Sequence, residues 1–390
     1  MRKRTKNFIE QSFEEYYDKN QVVIPPKLED REWGFILFSK KYPEETVMKR
    51  HKSFKNQRDL DSYVKNMVPA HAYFSSAYYN DPSTKKMEKK GWKKADLVFD
   101  LDADHLVGVK DLTYQEMLAK VKKEAIKLLE EFLLTDFGIS EENTEIVFSG
   151  GRGYHIHVRE EKTQDLRSPE RREIIDYIFG VGAEEMIEKK IIQGREVIKL
   201  SGLENRFKKN LSKWIFDNYL KKISKMKKKD AIKELKRYDR VGEELAKRIY
   251  NYLKEDKNLQ KIKKGHIDIV EGLPTDFWFQ LVSKAKQNVR GEADEPVTSD
   301  IHRLIRVPRS LHGGSSLVVE PLDRNSIRDF KPLRDAVYFD DEPVKVKGNQ
   351  SYEVELKEKK FSINKDEVKK LPRYAAIFLS CSGYVEVEGW

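Results

Sequence analysis

Near the start of the chain, Phe8, Ile9, Phe13, Tyr16 and Tyr17 fall on one side of a helix over 5–18. Pro25-Pro26 interrupt that pattern, and the apolar run 33–38, Trp-Gly-Phe-Ile-Leu-Phe, predicts a strand. Further strands are expected over 70–79 and 96–102, followed by a long amphipathic helix over 114–134. Strands at 145–148 and 154–158 flank the turn Ser149-Gly150-Gly151-Arg152-Gly153. From 168 to 264 the sequence turns helical and lysine-rich, with few strand signals. A strand at 267–270, a helix over 277–287, a loop-rich stretch through His312 and a strand at 317–319 come next. Alternation in Tyr352, Val354, Leu356 and in Phe361, Ile363 predicts a small β-containing end. The fold class is therefore α/β in its elements and α+β in arrangement: mixed sheets flanked by helices, a helical insertion and a C-terminal extension. The expected domains are a core of 1–165 with 265–335, a lysine-rich helical subdomain over 166–264, and the extension 336–390.

Composition narrows the function. With 390 residues the chain can bury a sizeable core as one large domain or two ordinary ones. No run of about 18 apolar residues occurs, and the opening residues turn acidic before a signal-peptide core forms, so a cytoplasmic protein with no membrane association is expected. Cys381 is the one cysteine, which excludes an internal disulfide, a four-cysteine zinc site and a cysteine-ligated iron–sulfur cluster in this chain. Net charge is +10, and residues 206–264 hold 21 Lys/Arg against 8 Asp/Glu, a local excess of +13. Such a segment suits a polyanion, and it equally describes a solvated helical face. Within it, 235–249 has the look of a helix-hairpin-helix, which offers backbone N–H groups to DNA phosphate, or of an ordinary capped helix start.

Three segments carry candidate chemistry. In a strand over 96–102, Leu97, Phe99 and Leu101 face one way while Val98, Asp100 and Asp102 face the other. Two carboxylates side by side repel each other unless a cation sits between them, which is how polymerases hold Mg²⁺ or Mn²⁺, or they point into solvent at a strand end. The glycine turn allows a close backbone approach, and Arg152 with His155 can donate to phosphate oxygens; a plain hairpin is the other reading. The third segment is Arg303-Leu304-Ile305-Arg306-Val307-Pro308-Arg309-Ser310-Leu311-His312-Gly313-Gly314. It gathers three arginines and a histidine in a Pro- and Gly-punctuated loop, suited to a triphosphate or to a surface turn.

In this order the three segments resemble the archaeo-eukaryotic primase small subunit, with its F-D-x-D strand, S-G-x-R-G-x-H turn and late R-L-I-R-x-P-x-S-L-H loop. Asp30-Arg31-Glu32-Trp33-Gly34-Phe35 and His51-Lys52-Ser53-Phe54 also look like that family. The resemblance covers roughly 5–160 and 265–320.

It implies a DNA primase catalytic subunit that makes short RNA, or also DNA, primers on single-stranded DNA from NTPs or dNTPs by two-metal nucleotidyl transfer. Asp100 and Asp102 would be Mg²⁺ or Mn²⁺ ligands, and Ser149, Arg152, His155, Arg306, His312 and Arg31 would bind the incoming nucleotide. The third carboxylate comes from 293–298. Asp294 and Asp300 compete, and the resemblance selects Asp294 as the start of a short strand leading into the loop, leaving Asp300 to cap a helical turn. The family's cysteine-rich zinc knuckle has no counterpart in 105–116, so no zinc is expected. An iron–sulfur large subunit as heterodimer partner is also implied. Two other readings stand beside this one: a primer-extending repair or translesion polymerase of the same superfamily, and a non-catalytic basic single-strand-binding subunit.

Overall fold

The computed structural model describes residues 1–390 except 40–41, 107, 110 and 193–194. The chain forms two compact units, Met1–Glu173 with Glu292–Trp390, and Ile174–Gly291. The second extends past the lysine-rich segment because the helix Thr275–Val289 buries Phe277, Trp278, Leu281, Val282 and Ala285 and packs against the helix Arg206–Trp214.

Two antiparallel four-stranded sheets organise the larger unit. One runs Leu304–Arg306, Pro69–Ser75, Trp33–Leu37, Met48–Lys52. The other runs Glu320–Leu322, Thr144–Phe148, Gly153–Val158, Leu97–Asp102. The apolar run at Trp33 is a strand because Trp33 and Phe35 are fully buried, each such ring contributing about 1.5–3 kcal/mol by leaving water. Between the sheets, Phe74 stacks on His157 with centroids 5.8 Å apart, and Val98, Val297 and Ile305 form a small apolar cluster.

The helix expected over 114–134 is α-helical through Tyr114–Lys127 and continues with wider π-type turns through Leu128–Asp136. Thr113 and Glu116 close its N-terminus as a reciprocal capping box. Beyond residue 336, the strands Val368–Pro372, Pro343–Gly348 and Val385–Gly389 form a third sheet beside the buried helix Arg373–Cys381. The N-terminal helix Lys3–Lys19 packs on that C-terminal strand: Glu386 accepts from Thr5 Oγ1 and from the backbone N–H of Arg2.

Three expected elements differ. The 168–264 stretch is not all helix, since Ile187–Ile192 and Arg195–Leu200 pair as a hairpin. No strand forms at 267–270; just before it, His266 makes a single bridge to Lys199. The strand expected at 317–319 lies at Glu320–Leu322, where Glu320 is opposite Phe148 and Leu322 opposite Ile146. Among the described residues, no helix is long and apolar enough to cross a membrane.

Candidate active site

The strand Leu97–Asp102 is an edge of its sheet, with Asp100 opposite His155 and Asp102 opposite Gly153. Alternation puts Asp100 and Asp102 on one face, both half-buried. Gly153 must be glycine, because a Cβ there would run into the carbonyl oxygen of Leu101. Asp294 is brought in by its backbone: its N–H donates to the carbonyl of Asp100 at 2.8 Å. It begins the short helix Glu295–Ser299, not a strand. Asp300 follows that helix, and its Oδ1 accepts from the N–H of His302 at 2.8 Å, heading a turn.

These three carboxylates are electrically coupled. Burial first, then Asp102 and Asp294, push the Asp100 carboxyl up to about 7, while Arg303 and Arg306 pull it down. A divalent cation beside it would favour the charged form, and hard carboxylate oxygens from two chain segments suit Mg²⁺ or Mn²⁺. Among the described residues, no three His, Cys, Asp or Glu side chains are gathered to hold a metal as they stand. What Asp100, Asp102 and Asp294 share is proximity and charge.

Glycines let the turn and the late loop converge. Gly150 has φ +74°, and a Cβ on it would lie 2.7 Å from His312 Cβ; one on Gly151 would lie 3.2 Å from His312 Nε2. His312 thus rests against the turn that carries Ser149 and Arg152. Ser315 Oγ donates to the carbonyl of Gly150, and Tyr114 OH donates to that of Gly151 at 2.8 Å. Tyr114 is itself backed by Phe378, ring centroids 5.9 Å apart. Tyr42 OH and Ser382 Oγ donate to the carbonyls of Gly313 and Gly314. The extension 336–390 therefore braces both loops.

His155 lies 3.5 Å from Asp100, and its buried Nδ1 has no hydrogen-bond partner. Burial, reinforced by Arg306, lowers its pKa to about 3. Burial and then Arg306 hold His312 well below the usual imidazole range. Both rings are neutral at physiological pH. Arg152 pairs with the exposed Asp104, and Ser149 lies buried at the start of the turn.

Arg31 does not join this group. It is fully buried, and its five N–H donors are all spent: on the carbonyls of Pro26, Ser75 and Ser76, on Tyr78 OH, and on Asp96 at 2.7 Å. A guanidinium has no sixth donor for a nucleotide. Of the three late-loop arginines, Arg303 and Arg306 act on Asp100, whereas Arg309 pairs with Glu320 at 2.8 Å. Sequence patterns pointed to none of Tyr114, Ser315 and His71, which lie in contact with the turn or the loop; Tyr114 and His71 carry no motif, and Ser315 falls just past the recognised one. The segment 105–116, where no zinc knuckle is expected, includes Val107 and Lys110, which lie outside the described residues.

Comparison with known proteins identifies the family. The family model for the DNA primase small subunit matches residues 99–324, which span the carboxylate strand, the glycine turn and the late loop. The chain is 41% identical to the DNA primase small subunit PriS of Methanocella arvoryzae over 100% of both chains. It is 39% identical to that of Methanococcoides burtonii over 98% of both, and 38% identical to that of Methanothrix thermoacetophila over 99% of this chain and 100% of the relative. The chain belongs to the DNA primase small-subunit family.

Proposed function

We propose that this chain is the catalytic subunit of a DNA primase, a nucleotidyltransferase that builds short RNA, or also DNA, primers on single-stranded DNA. The observation that carries the reading is the meeting of three coupled carboxylates, Asp100, Asp102 and Asp294, with the turn of Ser149 and Arg152 and the loop of Arg306 and His312. Asp100, Asp102 and Asp294 would hold Mg²⁺ or Mn²⁺. Such ions, when bound, neutralise phosphate charge and activate the attacking 3′-hydroxyl. Arg306 and Arg152 supply cationic N–H donors to the triphosphate, Arg152 by exchanging its exposed Asp104 partner for phosphate oxygens. His155 and His312, held neutral, offer hydrogen bonds without competing for the metal's negative ligands. Ser149 orients the turn, its Oγ accepting from the N–H of Gly151 at 3.4 Å.

The template is bound in part by the smaller unit. Arg206, Lys209, Lys213 and Lys263 line a groove of about 600 Å³, with Glu204 and Asp217 also on its wall, a net-basic surface suited to phosphate. A partner subunit would carry the iron–sulfur cluster, which this chain with its one cysteine cannot ligate. The test is labelled nucleotide incorporation on unprimed single-stranded DNA, with Mg²⁺ or Mn²⁺ and after chelation. Dinucleotide formed without primer is expected. Extension of added primers with no product from free nucleotides would instead identify a repair or translesion polymerase, and no incorporation at all a binding subunit.

A further inference from the structure

Arg306 is anchored by a side chain that no motif marks. On the strand Pro69–Ser75, His71 stands two residues from Tyr73, the ladder partner of Arg306, so the three side chains share a face. Nδ1 of His71 lies 2.7 Å from Arg306 Nη1 and 3.4 Å from the N–H of Gly313. Guanidinium and amide N–H groups donate and cannot accept. Nδ1 is therefore the lone-pair nitrogen, and the ring proton sits on Nε2. Burial, with Arg306 adding to it, lowers the His71 pKa to about 3, which agrees with a neutral ring. His71 meets His312 edge-on at 5.0 Å, and the Arg306 guanidinium lies over the Tyr73 ring at 5.1 Å. Among the described residues no carboxylate is paired with Arg306. A carboxylate in place of His71 would make a stronger bond to the guanidinium but would cancel its charge.

We propose that His71 is a positioning residue that fixes Arg306 for the triphosphate and, as an uncharged acceptor, leaves the full positive charge of Arg306 to the nucleotide. This rests on Arg306 being a nucleotide contact, as read above. The experiment is steady-state incorporation on a primed template by the full chain, giving KM for the incoming nucleotide and kcat separately, with a thermal midpoint for each variant. Asn places Oδ1 near the position of Nδ1, so His71→Asn should keep KM within about threefold of wild type. His71→Ala should raise KM about tenfold, the loss of one charge-assisted hydrogen bond, with kcat changed much less. His71→Asp keeps an acceptor but adds a negative charge, and should raise KM more than His71→Ala does, without a lower midpoint. A wild-type KM in His71→Asp would overturn the proposal, and so would a KM in His71→Asn as high as in His71→Ala. Arg306→Gln separates the two readings. If it leaves KM unchanged, both fail; if it raises KM while the His71 variants do not, only the role of His71 fails.

Discussion

Asp96 and Asp100 flank the same short stretch of strand, and each has arginines for neighbours, yet the two surroundings are built differently. Asp96 is fully buried and accepts from Arg31 and from Tyr78 OH, both at 2.7 Å, and from Gln164 at 3.0 Å; Arg159 stands at 3.5 Å. Its main-chain carbonyl takes a further hydrogen bond from Arg171. At the other end, among the described residues the Asp100 carboxylate has His155 at 3.5 Å as its one ion-pair contact, and Arg303 and Arg306 act on it without pairing. Asp96 is closed: every charge meets a partner, as burial demands. Asp100 is open, its charge opposed by two more carboxylates. A carboxylate completed by its own chain serves the fold, whereas one left open is free for something else to complete.

If that distinction holds, damage at the two ends must differ in kind. Removing the open end's second carboxylate, Asp102→Ala, should lower nucleotide incorporation at least a thousandfold or about 4 kcal/mol in barrier, while single-stranded DNA affinity and thermal midpoint stay near wild type. Activity within about tenfold of wild type would remove Asp102 from the metal site.

The next contrast is Asp294 against Asp300. Asp294→Asn should cost orders of magnitude in rate with little loss of fold; Asp300→Asn, whose Oδ1 still accepts from the His302 N–H, should leave stability within about 0.5 kcal/mol of wild type and change the chemistry little. Primer synthesis and melting of the two variants in parallel decide it, and an inactive Asp300→Asn beside an active Asp294→Asn would reverse the assignment.

At the closed end, Arg31→Met should lower stability by about 3–5 kcal/mol by stranding Asp96, read by denaturant unfolding. The nucleotide KM of the folded enzyme should be unchanged; a raised KM with normal stability would return Arg31 to the nucleotide site.

Smallest is the effect expected where charge stands without geometry. Neutralising Lys225, Lys227, Lys228 and Lys229 should weaken DNA binding and flatten the log–log salt dependence by roughly one unit per lost phosphate contact. An unchanged slope would leave these lysines a solvated face.

How legible this was follows from range in sequence. Asp100 and Asp102 were readable because strand alternation is local, and the turn because Gly150, Gly151 and Gly153 announce a close approach that His312 and Leu101 then make. The family resemblance joined segments that no local rule connects. Arg31 entered through the resemblance alone, and its burial was not legible because its acceptors at Ser75 and Asp96 are distant in sequence. His71 was invisible because one histidine in an apolar strand has no pattern, and its meaning comes from Arg306 across the ladder. The hairpin Ile187–Ile192 and Arg195–Leu200 was hidden because Lys and Glu crowd its sequence and its isoleucines do not keep a two-residue period.

The link between Thr5 and Glu386 has a consequence for how the enzyme comes into being. These residues are 381 positions apart, so at ordinary translation speeds the helix Lys3–Lys19 waits roughly 20–80 s for the strand that covers it. Ser382, which holds Gly314 beside His312, emerges in the same late stretch. A nascent chain interrupted before that point would carry all three carboxylates but an unbraced loop at His312 and Gly314.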